Sequence, residues 1–387
     1  MKLKEVVDLK QEKAILSKTD KIKYIGLEHI QKETLDINGY GYSNEVISDK
    51  YTFKKGDILV GRLRPYFHKV ILAPFDGVCS TEIWVFRPKN GYSSNQIFPI
   101  LASERFITYI TNTSTGTRMP RADWNASKRF RVDPNILKNP NGDFSLIGEK
   151  IETNKEIAKS LEEYSQLLFY KWFVDFNFPN KEGRPYKDSG GEMKEIAGKI
   201  VPIGWERAPI GNFVTINTET INPQEHPNKE FKYFSIPVYD ETRTYGYDLG
   251  STIKSNKYKV NDNNILVSKL NPWFNRVIYP MDTGEAICST EFTVWNPVVS
   301  NHLEYLYVLA NTTKFTRTCT KASIGTSNSH KRVRPEFMLK YMVPYKRDIV
   351  TKFNELIKPI IQKIHLVKME NQLLVETRNL LIKKLIR

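Results

Sequence analysis

The chain has 387 residues, 40% of them hydrophobic and 12% aromatic, which indicates two or three domains with their own cores and excludes wholesale disorder. Lys and Arg total 58 against 43 Asp and Glu, and the net charge of +15 favours a polyanionic partner, because each neutralised phosphate releases condensed counterions. A basic protein from an AT-rich genome shows the same surplus, so charge alone does not decide for nucleic acid.

The cysteines and the hydropathy pattern indicate a cellular compartment. Cys79, Cys288 and Cys319 are an odd number without metal-ligand spacing, which is typical of buried thiols in a reducing environment. Residues 1–10 are too polar for a secretory signal, and no apolar stretch approaches the roughly 20 residues that span a bilayer. We therefore expect a soluble, cytoplasmic protein.

Residues 1–143 are predicted to form a first domain, a compact β-rich globule of mixed α+β type. Its runs of β-branched and aromatic residues, bounded by Gly, Pro, Asp or Asn, predict strands over 51–53, 58–60, 70–72 and 83–86. A short helix is predicted over 103–110.

A long helix is predicted over residues 144–176. Apolar-type positions recur there at alternating steps of four and three: Ile147, Ile151, Asn154, Ala158, Leu161, Ser165, Leu168 and Trp172. This spacing is the heptad seam of a coiled coil, although a single stripe is equally typical of a core-facing helix. Residues 177–205 follow as an exposed linker, rich in Gly, Lys and Asp as far as Ile200.

The second half of the chain repeats the first, which predicts a second domain over residues 206–347. Three stretches match, with a two-residue insertion in the second copy between the first stretch and the other two: 56–72 with 263–279, 79–82 (Cys-Ser-Thr-Glu) with 288–291, and 116–117 (Gly-Thr) with 325–326. Because the register holds across most of each half, we expect two domains of one fold, related by a pseudo-twofold internal repeat.

A second long helix is predicted over residues 348–387. Its seam positions are Phe353, Ile357, Ile360, Ile364, Val367, Asn371, Leu374, Arg378, Leu381 and Leu385. Pro359 is expected to kink or restart this helix near its beginning. Asn154 and Asn371 are polar residues within the two seams, of the kind that fixes register. Since each long helix closes one copy of a repeat, we expect an antiparallel coiled-coil pair that separates two globules.

The sequence predicts no catalytic, metal or cofactor site. Residues 271–274 (Asn-Pro-Trp-Phe) resemble the Asn-Pro-Pro-aromatic loop with which amino-methyltransferases grip an extruded base. Residues 64–67 (Arg-Pro-Tyr-Phe) take the same place in the first copy and cannot make the Asn contact, and no Gly-rich turn could hold S-adenosylmethionine. Glu82 and Glu291 recur without further acids to share a metal, so we expect them to be structural.

The two copies differ at polar positions beside their shared core. Arg, Lys, Asn and Ser pair with base edges and phosphates, so two copies with different polar loops would read two half-sites. Drift on a solvated surface explains some positions equally well. The predicted DNA-binding residues of the first copy are Arg62, Arg64, His68, Lys69, Thr117, Arg118, Arg121 and Lys128. Those of the second copy are Lys269, Asn271, Asn275, Arg276, Thr326, Asn328, His330, Lys331 and Arg332.

Three further motifs carry a family resemblance: residues 167–176 (LLFYKWFVDF) at the end of the first helix, 183–186 (Gly-Arg-Pro-Tyr) and 203–206 (Ile-Gly-Trp-Glu). With the repeat and the two helices, they make the chain resemble the specificity subunits of type I restriction–modification enzymes over essentially its whole length. The family's Pro-Pro-x-x-Glu-Gln entry to each helix is absent, since residues 133–135 read Asp-Pro-Asn and 343–345 read Val-Pro-Tyr.

The resemblance implies two target-recognition domains that bind a split double-stranded DNA target in the cytoplasm of a bacterium or archaeon. It also implies a non-catalytic chain with two methyltransferase subunits docked on it and ATP-driven restriction subunits in the full complex. A helix over 145–173 would rise about 43 Å at 1.5 Å per residue. That length could set half-sites about one DNA turn, 34–36 Å, apart.

We predict partner contacts at Leu168, Trp172, Phe173, Phe176, Leu381 and Leu385. Two alternatives stay open. One is a single-chain DNA adenine methyltransferase with a degenerate catalytic loop, and the other is a non-catalytic coiled-coil scaffold that binds proteins only.

Overall fold

A computed structural model describes residues 1–17, 19–33, 35–138, 144–281, 283–299, 302–325 and 330–386. The chain divides into two compact units. Unit 1 comprises Met1–Asn154 and Glu370–Arg387, and unit 2 comprises Lys155–Met369. Each unit is a mixed α and β structure.

Unit 1 begins with a series of short strands. In its described part these are β1 (Val7–Lys10), β2 (Lys23–Ile25), β3 (Gly41–Tyr42), β4 (Lys50–Phe53), β5 (Ile58–Gly61), β6 (Val70–Leu72), β7 (Gly77–Ser80) and β8 (Ile83–Pro88). The helices are α1 (Ser94–Leu101), α2 (Glu104–Asn112), α3 (Trp124–Ser127), α4 (Pro134–Lys138) and the long α5 (Phe144–Phe173), which belongs to this unit as far as Asn154. The strands predicted from β-branched runs are confirmed as β4, β5, β6 and β8, and the predicted short helix as α2.

Two sheets organise unit 1, one with strand order β1-β8-β5-β6 and the other with order β3-β2-β7-β4. β5 lacks the polar alternation of a surface strand because both of its faces are covered. Ile58 and Val60 pack in the cluster that holds the short helices, whereas Leu59 packs toward the second sheet. The uninterrupted Ile-Leu-Val run is therefore the sequence of a central strand.

Unit 2 follows the same plan. Its described strands are β9 (Met193–Ile196), β10 (Lys199–Pro202), β11 (Glu206–Pro209), β12 (Val214–Asn217), β13 (Thr220–Ile221), β14 (Glu230–Phe234), β15 (Gly246–Leu249), β16 (Lys257–Val260), β17 (Ile265–Ser268), β18 (Val277–Ile278), β19 (Ala286–Cys288), β20 (Phe292–Pro297) and β21 (Met342–Tyr345). The helices are α6 (Ile236–Thr242), α7 (Leu303–Ala310), α8 (Thr313–Lys321), α9 (Pro335–Leu339) and the long α10 (Arg347–Ile386), which belongs to this unit as far as Met369.

The strand orders of the two units correspond. The order β12-β20-β17-β18 repeats β1-β8-β5-β6, and β15-β14-β19-β16 repeats β3-β2-β7-β4 with β13 added at the edge. Both second sheets contain one parallel pair, β2 with β7 and β14 with β19. Even the added strand has a counterpart, because the bridge between Lys13 and Tyr51 in unit 1 matches the pairing of Thr220 with Tyr258 in β13 and β16.

The long helices pair antiparallel within each unit. In unit 1, Asn154 Nδ2 donates to Asn371 Oδ1 at 2.9 Å, so the two seam asparagines contact each other. In unit 2, Ala158 packs with Ile364, and farther along α5 the Trp172 ring lies 5.6 Å from the Phe353 ring. As the residue numbers of these contacts rise along α5, those of their partners fall along α10, so the two helices run antiparallel.

Of the two effects expected of Pro359, the restart of the second helix is wrong, and the kink stays a prediction. α10 runs through Pro359. Proline removes one backbone hydrogen bond to the carbonyl four residues earlier. Both Pro359 and Glu355 are exposed, so water can reach the carbonyl that is left without its partner.

The predicted exposed linker is only partly exposed. β9 and β10 form an antiparallel hairpin, and Phe178 stacks on Tyr186 with ring centroids 4.7 Å apart. Phe178, Val201 and Trp205 are buried in the main core of unit 2. The segment is therefore part of unit 2, because its aromatic residues cover the end of α5.

Two predictions about composition can be compared with the fold. The three cysteines are free and buried, as predicted. Within the described ranges, the structure has no helix that combines the length and the hydropathy needed to cross a membrane.

Candidate nucleic-acid interface

Two loops meet in each unit, and we name them by their characteristic residue. The proline loop is 64–68 in unit 1 and 271–275 in unit 2. The glycine loop is 115–121 in unit 1 and 324–332 in unit 2, of which 326–329 lie outside the described residues. Backbone hydrogen bonds join the loops, from Arg64 N to Pro120 O and from Asn271 N to Lys331 O, both at 2.7 Å.

An ion pair closes each glycine loop. In unit 1, Arg121 Nη2 lies 2.8 Å from Glu82 Oε1, and Arg62 Nε lies 4.0 Å from the other carboxylate oxygen. In unit 2, Arg332 Nη2 lies 2.7 Å from Glu291 Oε1. Hydrogen bonds from Arg332 lower the pKa of Glu291, although partial burial opposes the shift. Each glutamate therefore holds the end of its loop, the structural role that the sequence predicts for both.

Backbone pairing makes Arg121 and Arg332 equivalent. Arg121 pairs with Thr115, and Arg332 pairs with Ile324, through reciprocal hydrogen bonds of 2.9 to 3.0 Å. The sequence comparison missed this equivalence because the second loop is longer. The available signal was the repeated Ser-Thr-Glu triplet together with an Arg that precedes an apolar residue at the end of each loop.

The predicted DNA-binding residues of unit 1 fall into two groups. Thr117 and Arg118 are exposed at the tip of the glycine loop. The others make contacts within the unit: Arg62 and Arg121 with Glu82, Arg64 with Arg118 O, His68 with Ala102 O, Lys69 with Leu27 O, and Lys128 with Asn125. Burial lowers the pKa of Lys69.

The predicted residues of unit 2 divide in the same way. His330 and Arg332 are exposed, Lys331 is half-buried, and Thr326 and Asn328 lie outside the described residues. Three others hold the proline loop: Asn271 accepts from Lys331 N, Asn275 donates to Asn311 O, and Arg276 is buried against Asp240. Lys269 is half-buried, and its burial lowers its pKa while Glu291 opposes the shift.

The side chains that the sequence marks for partner binding are mostly internal. Trp172, Phe173 and Phe176 are buried in the main core of unit 2. Leu168 and Leu381 are half-buried, and the side chain of Leu385 lies outside the described residues. In the structure, Phe173 packs against Trp205 at 5.8 Å between ring centroids, so its partner is the chain itself.

Comparison with known proteins connects this arrangement to a family. Residues 1–169 match the family described as the type I restriction modification DNA specificity domain. The chain is 21% identical over 314 residues to the MjaIX type I specificity subunit of Methanocaldococcus jannaschii, across 77% of this chain and 69% of that protein. It is 29% identical over 100 residues to the EcoDI specificity subunit of Escherichia coli, across 25% of this chain and 22% of that one.

The fold is similar to that of a solved structure. The crystal structure of a type I restriction–modification system S subunit from M. genitalium matches with a TM-score of 0.59 and 14% identity, across 100% of this chain and 95% of that one. At this identity the match establishes the fold and nothing finer. The predicted resemblance of the chain to type I specificity subunits is therefore confirmed, with residues 1–169 matching the type I restriction modification DNA specificity domain.

Proposed function

We propose that this chain reads a split double-stranded DNA target for a type I restriction–modification complex, with one half-site read by each unit. The observation that supports this proposal is the pair of loops. Both units hold a proline loop and a glycine loop by the same backbone bonds and the same Arg–Glu pair, but the side chains at the tips differ. A constant scaffold with variable polar tips suits the reading of two unlike sequences.

The tips of the glycine loops are the best candidates for base contacts. Thr117 and Arg118 in unit 1 and His330 in unit 2 are exposed, so they can reach a groove without breaking the fold. His68, Asn275 and Arg276 are engaged inside their units and act as supports. The residues proposed to read bases are therefore fewer than the sequence predicts.

The long helices would set the length of the unread spacer. α5 has 30 residues and α10 has 40, which correspond to about 45 Å and 60 Å at 1.5 Å per residue. Each helix contributes to both units. Half-sites one DNA turn apart need about 34–36 Å, a distance that such helices can span.

Methyl transfer and cleavage would belong to partner subunits that dock on the helices. Leu167 of α5 is 65% exposed and lies two residues before Phe169, which is 4% exposed. At the aligned position of α10, Leu380 is 66% exposed and precedes Ile382, which is 5% exposed. Because equivalent leucines face solvent in both units, we propose Leu167 and Leu380 as docking residues for two methyltransferase subunits, in place of the buried aromatic residues.

Two other functions make different predictions. A single-chain methyltransferase would bind S-adenosylmethionine without partners. However, Asn271 Oδ1 accepts the backbone amide of Lys331 at 3.1 Å, so the amide that would grip a base is engaged in the loop. A protein-only scaffold would show no preference among duplexes. Titration of the purified chain with S-adenosylmethionine separates the first alternative from a DNA reader.

The proposal is tested by methylome sequencing of cells that express the chain with its methyltransferase subunits. We expect one split target with an unread spacer when both are present and no new methylation when either is missing. Methylation by the chain alone, or an uninterrupted target, would contradict the proposal.

A further inference from the structure

Both proline loops hold aromatic side chains at the surface. Tyr66 is 46% exposed in unit 1, and Trp273 and Phe274 are 37% and 55% exposed in unit 2. Large aromatic rings that face water lose the stabilisation that burial would give, unless a partner covers them. The same position is aromatic in both units although the neighbouring polar residues differ.

The backbone of these loops has an unfavourable conformation. Arg64 and His68 flank the loop of unit 1 with φ of 49° and 51°, and Asn271 and Asn275 flank that of unit 2 with φ of 47° each. Non-glycine residues avoid this left-handed region, although Asn tolerates it better than Arg or His. Strain that is kept while the sequence changes points to a requirement on the shape of the loop.

The loop is also held rigidly from below. His68 Nε2 lies 2.7 Å from Ala102 O, and Asn275 Nδ2 donates to Asn311 O at 3.2 Å. Ala102 and Asn311 are the C-cap residues of α1 and α7, so the two carbonyls lie at equivalent places in the two units. Different side chains thus make the same support in the two units, which fixes where the rings project.

Exposed basic residues lie in the glycine loop that is bonded to each proline loop, and they indicate the partner. In unit 1 the exposed Arg118 lies across the loop junction, where Arg64 Nη2 donates to its carbonyl at 3.5 Å. In unit 2 the exposed His330 and Arg332 lie in the adjoining glycine loop, whereas Arg276, which is buried and paired with Asp240, supports the Phe274 ring from within at 4.5 Å from its centroid. Aromatic rings among cations match a surface that is both anionic and stacked, which is the chemistry of nucleic acid.

We propose that each proline loop presses its aromatic ring against a base step and partly opens the stack beside the half-site. This inference rests on the proposed function and adds residues that the polar pattern did not mark. Proteins that deform duplex DNA use apolar side chains as wedges between base steps, because the deformed duplex covers more protein surface and this offsets the stacking that is lost. Tyr66 would act at the first half-site, and Trp273 with Phe274 at the second.

The test measures affinity for duplexes that are already opened at one step. The full chain, assembled with its methyltransferase subunits, is titrated with the target duplex and with duplexes that carry a single abasic site at successive positions in and beside the second half-site. The wild type should bind the duplex opened at the wedge step several-fold more tightly than the intact one. The double variant Trp273→Ala/Phe274→Ala should bind the intact target roughly tenfold more weakly and lose that step-specific gain.

Matched variants separate the wedge from general effects. Trp273→Phe keeps a ring and should keep the gain, and Val298→Ala, which trims an exposed side chain elsewhere in unit 2, should change neither affinity. Tyr66→Ala should act only at the first half-site. The unfolding midpoint of each variant is measured in parallel, and Trp273→Phe covers the case in which the double variant does not fold.

The other possible outcomes distinguish a failure of the wedge from a failure of the proposed function. If the wild type binds its target but prefers no opened step, the wedge is wrong and the proposed function stands. If no duplex is preferred at all, the proposed function is wrong. If the double variant loses its methyltransferase subunits and shows no step-specific change, the rings contact protein and the wedge is overturned.

Discussion

Units 1 and 2 have the same pair of loops on sheets of the same strand order, yet they fill the supporting positions with different residues. His68 contacts the carbonyl of Ala102 after α1 and Asn275 contacts the carbonyl of Asn311 after α7, although one side chain is an imidazole and the other an amide. By contrast, the pairs Glu82–Arg121 and Glu291–Arg332 keep both residue types. The comparison shows that backbone geometry is retained through interchangeable contacts, which leaves the loop tips free to vary.

The helical segments of the two units differ more. In unit 1 the seam contains a hydrogen-bonded Asn154–Asn371 pair, whereas in unit 2 Lys368 Nζ lies 2.7 Å from Glu162 Oε1 beside an apolar cluster. An amide pair in a seam restricts register, because a shift leaves buried polar groups without partners. The two units therefore use different chemistry to hold the same pair of helices.

The largest expected effects come from the aligned helix positions. Phe169→Ala in unit 2 should lower the free energy of unfolding by about 3–5 kcal/mol, and Ile382→Ala in unit 1 by about 2–5 kcal/mol, because both side chains are buried. Leu167→Ala and Leu380→Ala are the exposed controls and should stay within about 0.5 kcal/mol. Denaturant unfolding measures all four. Equal losses at exposed and buried positions would contradict the assignment of the core face.

The seam asparagine of unit 1 should have a smaller effect. Asn154→Ala removes a hydrogen-bond partner of Asn371 and should lower the free energy of unfolding by about 1–3 kcal/mol. Lys159→Ala, on an exposed position of the same helix, is the control. Hydrogen exchange resolved by unit measures where protection is lost. A loss confined to unit 2 would show that the pair does not act where the structure has it.

Substitutions in the glycine loop should change the free energy of DNA binding by a similar amount. Arg118→Ala should weaken binding by about 1–3 kcal/mol if Arg118 makes a bidentate base contact, and should relax only the first half-site. His330→Ala, at the exposed position of the second glycine loop, should affect only the second half-site. Competition binding with duplexes altered in one half-site measures both, and an effect of either variant on both half-sites would contradict separate reading.

Much of the fold could be predicted from local sequence. The Ile-Leu-Val runs predict β5 and, through the repeat, β17, because a short run without polar residues needs cover on both faces. The alternating spacing predicts both long helices, and the polar intrusions Asn154 and Asn371 contact each other. These features depend on neighbouring residues or on one internal comparison.

The rest depended on contacts between distant residues. The Arg121–Glu82 pair joins residues 39 apart, and the Arg332–Glu291 pair joins residues 41 apart across a loop of different length. Trp172 and Phe173 have the composition of an exposed binding motif, but Phe353 packs on Trp172 and Trp205 packs on Phe173. No local pattern shows which distant side chain covers an aromatic residue.

The smallest expected difference between the two units is in how their stability depends on pH. Burial, aided by Arg347, lowers the pKa of His302 below its ordinary value of 6.5, so the unfolded chain binds this proton more readily than the folded one. The stability of unit 2 should therefore fall as the pH drops below the ordinary His pKa of about 6.5. Ser93 occupies the equivalent N-cap in unit 1 and does not titrate there.

The variant His302→Asn should flatten this pH dependence while unit 1 keeps its own profile. Hydrogen exchange at several pH values measures the two units in one experiment. An unchanged slope in the variant would show that other groups cause the effect.

The central claim, that each unit reads one half-site, is tested most directly by methylome sequencing of a duplicated chain. Residues 214–297, which carry the two main sheets of unit 2, and its glycine loop 324–332 are replaced by the corresponding residues 7–88 and 115–121 of unit 1, and the chain is expressed with its methyltransferase subunits. The account predicts a target in which the first half-site occurs on both sides of an unchanged spacer. Persistence of the original second half-site would contradict it.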